Sequence, residues 1–338
     1  MKAIVIQGEK QALVVEREQP QARPGEILLR IRYVGFCGSD LNTFLGKNPM
    51  VKLPVIPGHE VGAEIVESTA GVPDTFKPGM YCTVNPYTSC GYCPACRNGR
   101  PNACQFNRTM GVQRDGAMCE YLAVPWQKVI TDEAIRVRDF ALVEPMSVGF
   151  HAVARGQVSD LDKVMVIGCG MIGIGAIARS VVRGAEVIAV DMDDEKLQLA
   201  KRLGARHTIN SQTGDWHQRL SEMTAGAGPD VVIEAVGSPL TYRTAIDEAA
   251  FTGRVVCIGY AKTEIAFETK YFVMKELDIR GSRNARPEDF RAVMHYLRQH
   301  PGIVDSFVSG VYPPEQASEA LMQWAEEPGK VFRMLVGF

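Results

Sequence analysis

Lys163-Val-Met-Val-Ile167-Gly168-Cys-Gly170-Met-Ile-Gly173 is the stretch that decides the fold. Val164–Ile167 is a short apolar run that reads as a buried strand, and Met171–Arg183 is long enough for a helix. A Gly-x-Gly-x-x-Gly is weak alone; between a strand and a helix it is in the required place. Gly168 permits the tight turn. Gly170 lets a pyrophosphate approach the backbone, where the N–H groups around Met171 and Ile172 and the helix dipole favour an anion. Gly173 lets helix and sheet pack closely. The bland alternative is an ordinary glycine-rich turn. Asp191 weighs against it, because it ends the next strand, Glu186–Val190. A carboxylate there accepts from ribose hydroxyls and repels a 2′-phosphate. Met192, Asp193 and Asp194 follow, with no arginine to hold a phosphate. The pattern selects NAD over NADP.

Downstream, Asp193 or Asp194 can cap a helix running to Leu203, with Gly204 as its stop. Strands at Asp230–Ala235, Arg254–Ile258 and Asp278–Gly281, with a helical stretch after Pro239, continue the alternation. Strand and helix in repetition predict an α/β, doubly wound parallel sheet. Upstream, the first 150 residues read as β-rich. Ile27, Leu29, Ile31 and Tyr33 alternate with Leu28, Arg30 and Arg32. Shorter runs lie at Ala3–Ile6, Leu13–Glu16, Val61–Val66, Met80–Val84 and Tyr121–Val124, with Pro-Gly turns at residues 24, 57 and 78. Short strands between such turns suggest a barrel or sandwich. The tail from Pro287 carries helical segments at Glu288–Arg298 and Pro314–Glu326 and an apolar strand, Val331–Val336. By itself it could pack on either domain.

A chain of 338 residues, at about 150 per domain, holds roughly two domains. Lys and Arg total 37 against 39 Asp and Glu, a formal charge of −2, which argues against a protein built to coat nucleic acid or an anionic membrane. Apolar residues at 46% and charged residues at 22% exclude wholesale disorder. The nine cysteines are an odd number and too few for a disulfide scaffold. The N-terminal residues lack the apolar core of a signal peptide, and the apolar run between Lys163 and Arg179 is too short to span a membrane. A cytoplasmic, reducing setting is expected, with cysteines as metal ligands or core residues.

Cys90-Gly-Tyr-Cys93-Pro-Ala-Cys96 with Cys104 is the strongest local signal. Four thiolates at these spacings can close a tetrahedron around structural Zn²⁺. Iron–sulfur ligation and four unrelated thiols are the alternatives. Four cysteines within fifteen residues of a cysteine-poor chain favour zinc. A second constellation is dispersed: Cys37-Gly-Ser39-Asp40, Gly58-His59-Glu60 and Glu144-Pro145. A catalytic zinc takes about three protein ligands and keeps one position open. Spacing alone does not join residues 37, 59 and 144.

A resemblance does join them. The chain resembles, end to end, the zinc-dependent medium-chain alcohol and polyol dehydrogenases. The residues that carry it are Gly35-Phe-Cys37-Gly-Ser39-Asp40, Pro57-Gly-His59-Glu60-Val-Gly62, the four-cysteine lobe, Gly111-Val with Asp115-Gly116, Glu144-Pro145, and the Gly168–Gly173 turn with Asp191. Gly281-Ser-Arg-Asn-Ala-Arg-Pro-Glu-Asp-Phe290 resembles the L-galactonate type of sugar-acid dehydrogenase. The resemblance implies a GroES-like catalytic domain over residues 1–148 and 287–338, and a Rossmann NAD-binding domain over 149–286. It implies two zinc ions per chain: one held by Cys90, Cys93, Cys96 and Cys104, and a catalytic one held by Cys37, His59 and either Glu60 or Glu144. It further implies that Asp40 orients His59 and that Ser39 begins the proton relay. Many relatives carry a histidine where this chain has Asn42, and an amide cannot titrate near neutral pH.

Cys82, Cys119, Cys169 and Cys257 read as core, and His207, His217, His295 and His300 as surface. His151 is a candidate for the cleft. Arg283 could pair a substrate carboxylate bidentately, hold the cofactor, or merely pack. The expected activity is hydride transfer from a secondary hydroxyl of a sugar acid or polyol to NAD, by a homodimer or homotetramer that binds neither nucleic acid nor membrane. The rivals are a plain polyol dehydrogenase, a zinc-free quinone or enoyl reductase, and a zinc-binding nucleic-acid or scaffold module. The last leaves Gly168–Gly173 and Asp191 unexplained.

Overall fold

The computed structural model describes residues 1–338. The chain forms two compact units, Met1–Pro145 with Arg286–Phe338, and Met146–Ala285.

In the first unit, β1 (Lys2–Gly8) and β2 (Gln11–Glu16) form an antiparallel ribbon. β3 (Glu26–Gly35) leads to the short helix α1 (Gly38–Phe44), and β4 (Glu60–Ser68) returns along β3. β5 (Tyr81–Val84), helix α2 (Pro94–Arg97), β6 (Tyr121–Pro125) and β7 (Val129–Thr131) follow. Strand β3 organises the sheet. One of its edges pairs with β4; the other is shared end to end by β6, opposite Glu26–Arg30, and by the C-terminal strand, opposite Tyr33–Gly35. The alternation along β3 buries Ile27, Leu29, Ile31 and Val34 in a core with Ile4, Phe36 and Phe44.

Helix α3 (Val143–Arg155) runs across the division between the units. Its first turn belongs to the first unit. From Met146 it packs on the next helix, where a Cβ at Gly149 would collide with the backbone of Ile172 and Ala176. Its residues from Met146 onward group with the second unit.

The second unit is a six-stranded parallel sheet. Its elements are β8 (Lys163–Ile167), α4 (Met171–Val182), β9 (Glu186–Asp191), α5 (Asp194–Arg202), β10 (His207–Asn210), α6 (Trp216–Met223), β11 (Val231–Glu234), α7 (Pro239–Glu248), β12 (Arg254–Cys257), α8 (Lys270–Met274) and β13 (Asp278–Gly281). The strand order is β10-β9-β8-β11-β12-β13. The winding reverses between β8 and β11, and ligands of open α/β sheets bind beyond the strand ends at such a switch point. Asp193 caps α5, accepting from the N–H groups of Glu195 and Lys196, and Gly204 beyond its end has the positive φ of a helix stop.

The tail belongs to the first unit. Helix α9 (Pro287–Gln299), β14 (Gly310–Tyr312), α10 (Ala317–Glu326) and β15 (Met334–Gly337) complete it, and β15 pairs with β3. No helix is long and apolar enough to cross a membrane.

Candidate active site and metal centres

The register of β3 and β4 makes the first site. Gly35 pairs directly with Glu60, so the residues just beyond the strand ends, Cys37 and His59, meet. Ligand atoms of Cys37, His59 and Glu60 all lie within 4.8 Å of one another. Cys37 is the N-cap residue of α1. Asp40, nearly fully buried, ties the two segments together: one carboxylate oxygen accepts from the Cys37 N–H at 2.8 Å and the other from the Gly58 N–H at 3.2 Å. This corrects the expected role of Asp40. Its carboxylate is engaged by the backbone on both sides, and Nδ1 of His59 has no hydrogen-bond partner.

The chemistry of this pocket fits a divalent cation. Burial opposes charge on His59, yet the Cys37 sulfur, Glu144 and Asp40 outweigh it and hold the imidazole well above its usual pKa. Burial pushes Glu60 up to about 7 against the pull of Arg333, with Glu144 adding to the rise. Buried groups and neighbouring carboxylates thus crowd negative charge at this point, an arrangement that a bound cation would relieve. Neither Glu60 oxygen has a hydrogen-bond partner. The buried Arg333, on the approach to β15, lies 3.1 Å from Oε1 and also donates to the Phe36 carbonyl.

Of the two glutamates left open, Glu60 falls in the group of close ligand atoms with Cys37 and His59, and Glu144 stands near enough to raise the pKa of both His59 and Glu60. Glu144, on the first turn of α3, accepts the Tyr87 hydroxyl. Tyr87 is in turn held well above its usual pKa by burial and by that carboxylate. Ser39, in the first turn of α1, has a buried hydroxyl with no partner. Asn42 donates from Nδ2 to the Gly38 carbonyl at 2.8 Å, one helical turn back. Sequence reading missed Tyr87 and Arg333. The lone arginine in the apolar run Val331–Val336 was the available signal for the second; the first had none.

In the second site, the sulfurs of Cys90, Cys93, Cys96 and Cys104 lie within 4.8 Å of one another, with Cys90 and Cys96 at 4.0 Å and Cys93 and Cys104 at 3.8 Å. A tetrahedron with ~2.3 Å zinc–sulfur bonds has edges of ~3.8 Å. Backbone N–H groups of Cys90 and Phe106 point at the Cys104 sulfur, and that of Cys93 at the Cys90 sulfur, each at 3.3 Å. Further backbone N–H groups, of Cys96 and Gln105, pull Cys93 down to about 6. These donors favour the thiolate, the form that binds metal, at Cys93, while burial pushes Cys96 up to about 11. None of the nine cysteines is in a disulfide. Cys82, Cys119 and Cys169 are buried, and burial raises the pKa of each, which leaves them unreactive.

The second unit carries the anion site. Gly168 has φ +93°, and a Cβ at Gly173 would collide with the Gly168 carbonyl, so turn and helix touch there. Gly170 is the N-cap residue of α4 and offers no side-chain cap, which leaves the first N–H groups, around Met171 and Ile172, to a ligand. A Cβ at Gly170 would meet nothing within 4 Å. Asp191 ends β9. Its Oδ2 accepts from the Cys169 N–H at 2.6 Å, and Oδ1 from those of Met192 and Asp193 at 2.8 and 3.1 Å. The acidic end of β9 is thus fixed against the glycine turn, with Met192 exposed beside it. Arg283 is exposed just after β13, at the same end of the sheet. Three strand spacings, about 14 Å, separate that edge strand from β8.

The family described as alcohol dehydrogenase GroES-like domain matches residues 23–133, and the zinc-binding dehydrogenase family matches residues 172–299. The chain belongs to the zinc-dependent medium-chain dehydrogenases. It is 32% identical to an L-galactonate-5-dehydrogenase of Escherichia coli K12, over 93% of this chain and 92% of the relative. It is 30% identical to a sorbitol dehydrogenase of Bacillus subtilis 168, over 99% and 97%. Among solved structures, an alcohol dehydrogenase of E. coli CFT073 complexed with NADH superposes with a TM-score of 0.91 at 28% identity, over 100% of this chain and 99% of that one. This dehydrogenase therefore lies in the branch that acts on alcohols, polyols and sugar acids.

Proposed function

We propose that this dehydrogenase oxidises a secondary hydroxyl of a sugar acid, with NAD as acceptor and two zinc ions per chain. The observation that carries the reading is the close set of half-buried Cys37 and buried His59 and Glu60 beside the unpartnered Ser39 hydroxyl. Cys37, His59 and Glu60 would hold one zinc, and the four cysteines of residues 90–104 the other. Bound zinc supplies a Lewis acid and NAD the hydride acceptor. Ser39 orients the substrate hydroxyl and takes its proton. Tyr87 fixes Glu144, whose charge adds to the pull on a cation. The glycine turn binds the pyrophosphate, and Asp191 accepts from the adenosine ribose while repelling a 2′-phosphate.

Arg283 supports the choice of a sugar acid, because an exposed guanidinium can take a carboxylate through two parallel bonds. The likeness to an L-galactonate dehydrogenase points the same way. The likeness to a sorbitol dehydrogenase favours the second reading, a plain polyol dehydrogenase. Assembly as a homodimer or homotetramer is part of the proposal; β13 leaves one sheet edge unpaired, with Ile279 half exposed on it. Aldonates and their matching alditols, assayed by NADH absorbance, test the substrate. The aldonate should give the higher kcat/KM, and Arg283→Ala should erase most of that margin, on the order of 2–3 kcal/mol for a charged hydrogen bond. Equal turnover of alditols would replace this reading with the second.

A further inference from the structure

The apolar strand β11 ends in a charged residue that no part of the foregoing chemistry uses. Glu234 is fully buried. Its Oε1 accepts three hydrogen bonds, from the N–H groups of Val236 at 2.9 Å and Gly237 at 2.7 Å and from the Thr241 hydroxyl at 2.8 Å. Its Oε2 has no partner. Its own carbonyl accepts the Ile258 N–H at 2.9 Å, which ties it to the loop after β12. Burying a carboxylate costs free energy, which the three hydrogen bonds to Oε1 offset.

What it holds is one wall of the switch point between β8 and β11. Three loops meet there without room for side chains. A Cβ at Gly168 would lie 2.7 Å from the Val236 side chain, and one at Gly237 would lie 2.7 Å from the Tyr260 nitrogen. A Cβ at Gly259 would collide with the Gly237 backbone. The Tyr242 hydroxyl, one helical turn beyond the N-cap Ser238, donates to the Gly259 carbonyl at 2.6 Å and closes the set. Residues 235–237 therefore back the Gly168 turn, and their conformation depends on the acceptor beneath them.

We propose that Glu234 is a positioning residue for the dinucleotide: its Oε1 fixes residues 235–237 so that the Gly168 turn presents its N–H groups to the pyrophosphate. The inference rests on the dinucleotide reading of this unit. It also requires only one oxygen. Glu234→Gln keeps an acceptor in place of Oε1 and sets its amide nitrogen where Oε2 has no partner, whereas Glu234→Ala removes the acceptor altogether.

NADH affinity, measured by fluorescence on the zinc-loaded, full-length enzyme, tests it. Glu234→Ala should weaken binding by about tenfold or more, the equivalent of one or two lost hydrogen bonds. Glu234→Gln should remain within about threefold of wild type. Cofactor KM should rise in Glu234→Ala with substrate KM unchanged. Thr241→Val, which deletes one of the three donors, should weaken NADH several-fold in a folded protein, and it decides the matter if Glu234→Ala does not fold. A Glu234→Ala enzyme that melts earlier but binds NADH as wild type does, or a Thr241→Val enzyme of unchanged affinity where Glu234→Ala cannot be made, overturns the proposal. Wild type that binds no NADH would instead overturn the dinucleotide reading on which it stands.

Discussion

Gly35 and Glu60 face each other across β3 and β4, and the Glu60 carboxylate lies over the Gly35 backbone where a Cβ would stand. The missing side chain at residue 35 is what lets a buried acid turn back toward Cys37 and His59. Gly35→Ala should push the carboxylate out of the set. Metal affinity at this site should fall about 10- to 100-fold, as when the support of a ligand is lost. The overpacking should cost about 1–3 kcal/mol of stability, leaving a folded protein. Activity against added zinc and thermal melting check both; unchanged metal affinity would show that Glu60 is not a ligand.

The four-cysteine lobe should act on stability and not on chemistry. Cys93→Ser removes the thiolate that two backbone N–H groups favour most. One zinc per chain should be lost and the melting temperature should fall. Retention of two tightly held zincs with unchanged melting would contradict the assignment.

Asp191 is pinned by three backbone N–H groups, so its charge cannot swing away from a 2′-phosphate. Wild type should prefer NAD strongly. Asp191→Ala with Met192→Arg should shift the ratio of kcat/KM values toward NADP. A wild-type enzyme equally efficient with both cofactors would refute the role.

Asn42 sits one turn beyond Gly38 on the helix that carries Ser39, where it can donate but not titrate. A histidine with an ordinary pKa of ~6.5 at this position accepts a proton while neutral and releases it to water. Asn42→His should therefore speed alcohol oxidation where proton release limits the rate, chiefly below pH 8 and fading above it as hydroxide takes over. Rates unchanged across the whole pH profile would mean that the proton leaves by another route.

The second unit was legible because its elements are long, apolar and punctuated. β8, the glycine turn, α4 and β9 all fall where the sequence places them. β10 and α6 were not read, since His207–Asn210 and Trp216–Met223 mix polar and apolar residues without a clean period. β7 and β14, three residues each, are too short to carry a pattern. The site in the first unit was legible only through resemblance. Cys37 and His59 are joined by strand register, and Arg333 reaches Glu60 because β15 pairs with the far end of β3. Such contacts leave no mark in local spacing. The settings of Glu60 and Glu144 are likewise matters of geometry, with a glycine opposite one and a tyrosine beside the other.

The central claim is that Cys37, His59 and Glu60 form a catalytic zinc site separate from the four-cysteine lobe. The metal content of purified wild type and of Cys37→Ser, read together with turnover, tests it most directly. Two zincs per chain in wild type, one in a folded and inactive Cys37→Ser, is the expected result. A Cys37→Ser protein that keeps both zincs and its activity, or a wild type that turns over fully with one, would contradict it.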